Sequence, residues 1–350
     1  MALSRERGLR IYILRRLALM VPTFIGVTAL VFLLTQLVPG GPIDQLRLEL
    51  AAGGVFGEAG TAGDGRGSMV TMSEADLQSL REYYGFDKPI LQRYWLYMTN
   101  LLQLDLGTSF RYTMPASEII FQRIPISLYY GIVTMILTYS ICIPLGIVKA
   151  IRHRTVVDNS TSVLIFLGYA VPNFALGAVL LAIFSVQLGW FPLGGFRGEE
   201  FPELSLWGKV KDVAHHSILP LICYMVGSFA ILTMLMKNSL MENMSADYVK
   251  AALARGMTWP RAVFIHAFRN SLIPLATGFG NNISILLAGS LLIERVFNIQ
   301  GMGLLFFEAI QARDYPVVMG LTVIGAILLL LGNLLSDICV ALVDPRVRFM

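Results

Sequence analysis

Side chains able to do chemistry are few in this sequence, and their spacing excludes more than it supports. No Ser/His/Asp arrangement suited to nucleophilic catalysis and no His/Cys/Glu set at metal-ligand spacing occurs along the chain. His215 and His216 stand together at the start of an apolar run, where wetting by lipid headgroups is their simplest role. Gly63, Gly65 and Gly67 have the look of a phosphate cradle, but no Gly-Lys-Ser/Thr follows them. Cys142, Cys223 and Cys339 all fall within long apolar runs and imply no disulfide framework. Neither a catalytic centre nor a metal site is expected.

Two other sets of residues have more to offer. The first is neutral and lies inside apolar runs: Asn173 after Pro172, Asn281 with Asn282 and Ser284, and Asn333 four residues before Asp337. Pro144, Pro172, Pro220 and Pro274 break or kink helices, freeing carbonyls that must be buried in protein or face water. These residues are candidates for the wall of a pathway, and interhelical hydrogen bonds are the competing use for them. Gly278, Gly280 and Ser284 around the paired asparagines are small enough to open room for a solute.

The second set lies in the loop 237–269, whose 33 residues read as two short helices. Ser245 is expected as an N-cap, Asp247 sits in the first turn where the helix dipole favours an anion, and Gly256 stops the helix. Between them, Ala251, Ala252 and Ala254 leave a slim surface. Tyr248, Val249 and Leu253 give apolar knobs, and Lys250 and Arg255 give charge. Such a helix fits a groove in another protein. Lying on anionic lipid suits it less, because only Lys250 and Arg255 would face the lipid and the apolar face is meagre. Thr258 is expected to cap a second helix, with Pro260 in its first turn and Val263, Phe264, Ala267 and Phe268 leading on.

The elements that must position these residues follow from composition. The 350 residues are 55% hydrophobic and 14% charged, where a soluble domain carries roughly 25% charge. A lipid bilayer is the environment that suits such a chain. Six stretches lack Asp, Glu, Lys and Arg over at least 22 residues: Leu17–Ile43, Ile124–Val148, Asn159–Phe196, Val213–Met236, Asn270–Ile293 and Tyr315–Ser336. About 20 residues at 1.5 Å rise cross ~30 Å of hydrocarbon, so the expected class is an all-α integral membrane protein with six transmembrane helices. Their expected bounds are 17–38, 127–148, 161–185, 213–236, 270–293 and 315–341. The first is too long for a signal-peptide core and no small-x-small cleavage site closes it, so it is expected to stay.

An even number of spans puts both termini on one side. Segment 1–16, the loops after spans two and four, and the tail 342–350 together carry 15 Lys and Arg, against five in the short loops opposite. The positive-inside rule makes the first side cytoplasmic. The remaining segment, 39–126, is then an extracytoplasmic insertion. It holds seven glycines between Gly53 and Gly67, a flexible composition, then a helix expected from Ser73 to Gly85. Tyr94, Trp95, Tyr97 and Met98 suit a membrane interface. The spans lack the interior charges that a proton-driven carrier or a voltage sensor would use, which weighs against a stand-alone secondary transporter or channel, the alternative reading.

The run Asp247-Tyr248-Val249-Lys250-Ala251-Ala252-Leu253-Ala254-Arg255-Gly256, followed by His266 to Pro274, resembles the "EAA" coupling region of ABC-importer permeases in its dipeptide/oligopeptide version. The likeness extends through Val38-Pro39-Gly40-Gly41-Pro42, Tyr84-Gly85-Phe86-Asp87, Asp105-Leu106-Gly107-Thr108-Ser109 and Pro144-Leu145-Gly146. It continues in Glu294-Arg295-Val296-Phe297 before Gly301-Met302-Gly303, in Arg313-Asp314-Tyr315-Pro316 and in Val343-Asp344-Pro345-Arg346. Within the family the glycine-rich insertion and the ending are most similar to the Yej-type peptide and microcin C permeases. Lys250 replaces the glutamate that opens the general signature, as the peptide branch also does.

The resemblance implies a type I ABC importer permease fold in the bacterial inner membrane. It implies a paralogous permease beside this chain, two cytoplasmic ATP-binding subunits, an extracytoplasmic solute-binding protein and a peptide substrate. Nucleic acid is no partner. ATP and Mg would be bound by the partner subunits and no cofactor by this chain. Asp247, Tyr248, Lys250, Ala251, Ala252, Ala254, Arg255 and Gly256 would couple to the ATPase.

Overall fold

The computed structural model describes residues 2–37, 88–287 and 289–343. The glycine-rich stretch, the helix expected from Ser73 to Gly85 and the end of the tail lie outside these residues. The described regular structure is helical. The chain divides into two compact units: one of 1–21, 123–304 and 325–350, the other of 22–122 and 305–324.

Five long stretches of helix follow the apolar windows. They are α1 (Ala2–Leu37), α3 (Ala116–Ile151), the pair α4 (Val156–Ala170) and α5 (Asn173–Leu180), α6 (Leu206–Ser245) and α13 (Tyr315–Val343). Between α1 and α3 stands α2 (Ile90–Leu102). Local chemistry sets several boundaries. Glu118 in the first turn of α3 and Lys149 in its last turn complement the helix dipole. Ser205 caps α6 by accepting from the Gly208 amide, at 3.2 Å.

Among the described residues, four helices are long and apolar enough to cross a membrane by themselves. The third window differs from a single rod. Val171 precedes Pro172, which pushes Val171 into extended backbone, with φ −87° and ψ 126°, and ends α4. Past the proline the chain turns by 95° into α5, which runs on through a π-helical turn, Leu181–Gln187.

The fifth window is divided further. After α7 (Asp247–Ala254) and α8 (Trp259–Ala262), a π-helical turn leads to α9 (Phe268–Ser271), α10 (Ile273–Leu287) and α11 (Leu291–Val296). Pro274 sits just after the junction at Leu272, and Gly289, at φ +85°, precedes α11. Thus the six expected crossings correspond to four unbroken helices, one bent pair and one window shared among short helices. Last before α13 comes α12 (Met302–Gln311).

In the first unit, two apolar clusters form the core. One joins α3, α6, α7, α8 and α10 through Ala150, Met236, Leu240, Val249, Ala252, Ala262 and Leu275. The other joins α3, α6 and α11 through Tyr130, Leu219, Cys223, Tyr224, Ile293 and Phe297. In the second unit, α2 packs on α1: the Tyr94 hydroxyl meets that of Thr28 at 3.0 Å and the Tyr94 and Tyr97 rings lie on Phe32. Its other face exposes Leu91, Trp95 and Leu102, so of the four residues expected at a membrane interface Trp95 faces outward while Tyr94 and Tyr97 turn onto Phe32. Buried Asp314 accepts hydrogen bonds from the Ser109 hydroxyl and, at 3.2 Å, from the Phe110 amide.

Candidate functional site

α7 follows α6 after one extended residue, Ala246, with ψ 149°. The expected cap is therefore displaced by one position. Ser245 is the last residue of α6, and its hydroxyl donates back to the Glu242 carbonyl at 2.8 Å. Asp247 occupies the first turn and pairs with Lys250 at 3.0 Å on an exposed face. The helix ends as expected at Gly256, whose φ of +87° suits glycine, and the Gly256 amide donates to the Leu253 carbonyl at 2.9 Å.

Exposure separates the two faces of this short helix. Val249 and Ala252 are buried against Met236, Leu240 and Ala262. Asp247, Tyr248, Lys250, Ala251, Leu253, Ala254, Arg255 and Gly256 are exposed. Two sequence expectations need correcting here: Val249 is an anchor and no outward knob, and Ala252 belongs to the inner face. An eight-residue helix has too few turns for periodicity alone to fix its phase. The slim outer face that remains is Ala251 and Ala254 between Tyr248, Lys250 and Arg255, with the Trp259 ring also exposed.

From α7 the chain runs into α8, where Thr258 is the N-cap and a proline occupies the first turn, both as expected. The Thr258 side chain makes no capping hydrogen bond. Ser271 at the end of α9 donates to the Ser239 carbonyl of α6 at 3.2 Å. So α7 and the start of α10 meet α6 through the shared apolar cluster, and α9 through this bond.

Beside this region lies a buried charge cluster. The Asp158 carboxylate, 3% exposed, accepts hydrogen bonds from Lys237 Nζ at 2.7 and 2.8 Å and lies 3.0 Å from Lys149 Nζ. The Arg154 amide donates to it at 3.1 Å, and the His153 ring lies 3.3 Å away. Lys149 lies in the last turn of α3, Asp158 in the first turn of α4 and Lys237 on α6. The charge-free windows stop at Val148, begin again at Asn159 and end at Met236, so all three residues fall just outside them. In the sequence the two lysines count only as loop charges, and the cluster stays hidden. One signal was available: each lies immediately beside a window end.

Another buried carboxylate is Glu294. It accepts from the Ser290 amide at 3.1 Å, the Leu304 amide at 2.6 Å and the Tyr224 hydroxyl at 3.4 Å. Gly301 is required there, since a Cβ on it would come within 2.6 Å of the carboxylate.

Residues 142–349 match the family described as "Binding-protein-dependent transport system inner membrane component". The chain belongs to this family. It is 36% identical to the "Peptidoglycan transport system permease protein YejB" of Agrobacterium fabrum, over 97% of this chain and 98% of that protein. It is 34% identical to the "Oligopeptide transport system permease protein AppB" of Bacillus subtilis, over 97% and 99%. It is 32% identical to the "Dipeptide transport system permease protein DppB" of Escherichia coli K12, over 96% and 98%. The protein is a permease component of an ABC importer.

The pathway candidates of this permease lie on α5, α10 and α13. Asn173 lies against Gly227, where a Cβ would come within 2.8 Å of its amide nitrogen. Asn282 donates to the Tyr139 hydroxyl at 3.1 Å, an interhelical hydrogen bond between α10 and α3. Asn333 is exposed on α13. Asn281 and Ser284 lie on α10, with side chains outside the described set. Gly280 opens no room: it is buried against Gly332, and its amide donates to Ser336 Oγ at 3.0 Å.

Proposed function

We propose that this permease is the pore-forming subunit of an ATP-driven importer of oligopeptides or dipeptides, with a type I importer permease fold. It works beside a paralogous permease, on two cytoplasmic ATPases, and receives its solute from an extracytoplasmic binding protein. The observation that carries the reading is the two-sidedness of α7. Val249 and Ala252 root the helix in the core, while the small side chains of Ala251 and Ala254 leave its outer face open to a groove. Closure of the ATPase pair on ATP would push α7, and the contacts of α7, α9 and α10 with α6 would carry the motion into the membrane. ATP and Mg belong to the partners, and this chain does no bond chemistry.

Peptide as the solute follows from relatives named for oligopeptide and dipeptide transport. Neutral amides at Asn173, Asn281, Asn282 and Asn333, with Ser284, give a peptide backbone weak partners. A passage that must also release its load favours such partners over a fixed charge. The Lys/Arg asymmetry of 15 against five supports both termini lying in the cytoplasm, and the family supports a bacterial inner membrane. A stand-alone carrier is disfavoured, because the buried Lys149, Asp158 and Lys237 are spent on one another instead of marking a path.

The test is co-expression of the tagged permease with the paralogous permease and the ATPases. They should co-purify, and ATP hydrolysis should rise when the binding protein loaded with trialanine is added. Purification of the permease without ATPases, together with peptide uptake by it alone, would reject the proposal.

A further inference from the structure

We propose that the Lys237–Asp158 ion pair is a separable latch between α6 and α4, which passes displacement of α7 to the bent third span, and that Lys149 is its fixed half. This rests on the reading of α7 as the ATPase seat.

The two lysines are held differently. Lys149 is fully buried and donates to three neutral acceptors as well as to the carboxylate: the Asp158 carbonyl, Thr161 Oγ1 and Ser162 Oγ, each at 2.8 Å. It is built into the first turns of α4 whatever α6 does. Lys237 has the two Asp158 carboxylate oxygens as its acceptors among the described residues, and its side chain retains 11% exposure. Withdrawing Lys237 therefore breaks one contact to two carboxylate oxygens, and its side chain is the less enclosed of the two lysines, with 11% exposure against none for Lys149. The carboxylate left behind keeps Lys149 and the Arg154 amide. Opening the pair thus avoids the penalty that makes most buried ion pairs rigid, a partner stranded without compensation.

Charge balance favours release as well. One carboxylate faces two ammonium groups at the N-terminus of α4, whose dipole end is itself positive. The second cation is in excess. The latch also sits where motion would arrive. Met236, one residue before Lys237, packs with Val249 and Ala252 of α7 in the same apolar cluster, and Ala150, one residue after Lys149, belongs to it too. Asp158 is in the first turn of α4, the half-span that ends at the 95° break. A push on α7 thus meets α6 one residue from the bond that ties it to α4.

The measurement is peptide transported per ATP hydrolysed, in vesicles holding the full complex with its binding protein and radiolabelled trialanine. In Lys237→Met the complex should assemble and hydrolyse ATP, with the ratio lower by about tenfold, within the range usual for coupled sites. Lys237→Arg, which can span both carboxylate oxygens, should stay within about twofold of the parent. Lys149→Met should fail earlier, through a lower melting midpoint and poor insertion. An unchanged ratio in Lys237→Met overturns the latch. So does a loss of folding in Lys237→Met as deep as in Lys149→Met, because the pair would then be a plain strut. Whether α7 is the ATPase seat is read separately, from ATPase capture by Ala251→Trp.

Discussion

Gly280 and Gly332 meet backbone to backbone: a Cβ built on Gly280 would overlap the Gly332 carbonyl oxygen. Ser336 completes the crossing, its hydroxyl donating to the Thr277 carbonyl at 2.5 Å and accepting from the Gly280 amide. α10 and α13 are thereby held at the separation that only small residues allow.

Gly280→Ala should accordingly force the two helices apart and destabilise the protein by at least about 2 kcal/mol, as overpacking does. Gly278, two residues away, has open space at its Cβ position, so Gly278→Ala should be neutral. Melting midpoints of the two detergent-purified variants check the contrast.

The two faces of α7 predict a split between neighbouring alanines. Ala251→Trp should leave the melting midpoint unchanged and abolish ATPase capture. Ala252→Trp places an indole in a closed core and should cost several kcal/mol, roughly 1–3 or more, before any docking can be scored. Equal behaviour of the two would contradict the orientation.

Glu294 predicts a dependence on charge at constant shape. Glu294→Gln keeps the volume but offers the amides of Ser290 and Leu304 a single oxygen in place of two charged ones. A loss of about 2 kcal/mol is expected, the size of a hydrogen bond to a charged group. Tyr224→Phe removes the 3.4 Å hydroxyl contact and a bond to the Ser290 backbone but leaves both amides on the carboxylate, and should cost less.

Orientation is open to chemical labelling. With Cys142, Cys223 and Cys339 replaced, a cysteine at Gly63 should react with an impermeant thiol reagent in intact cells and one at Ser245 should not. The reverse pattern would turn the protein over.

Asn282→Leu should slow uptake of chemically different peptides by a common factor. If Asn282 serves only the hydrogen bond to Tyr139, then Tyr139→Phe should reproduce that slowing in full. Uptake rates for a panel of tripeptides separate wall from glue.

The helices were legible because membrane spans are written in long charge-free runs, and α7 because Asp247 and Gly256 mark its ends chemically. Its phase was not, since Val249 and Ala252 are buried by the way α6 and α8 fold onto α7, which the spacing within α7 does not record. The Lys149–Asp158–Lys237 cluster was hidden for the same reason: Asp158 and Lys237 are 79 positions apart, and each alone reads as a loop charge. Pro172 was marked as a breaking residue, but an unbroken apolar window gave no measure of a 95° turn. Gly280 was misread because a small residue can mean either empty space or a close neighbour, and only packing tells which.

The segment around Glu294 takes its shape from main-chain amides converging on one carboxylate and from glycines that leave it room. Little of that shape is written in the side chains along its outside. Arg295 and Gln300 are exposed, so a group attached to either side chain points away from the backbone that the Glu294 carboxylate holds. They are accordingly positions at which a fluorophore or spin label can be carried without entering that packed segment.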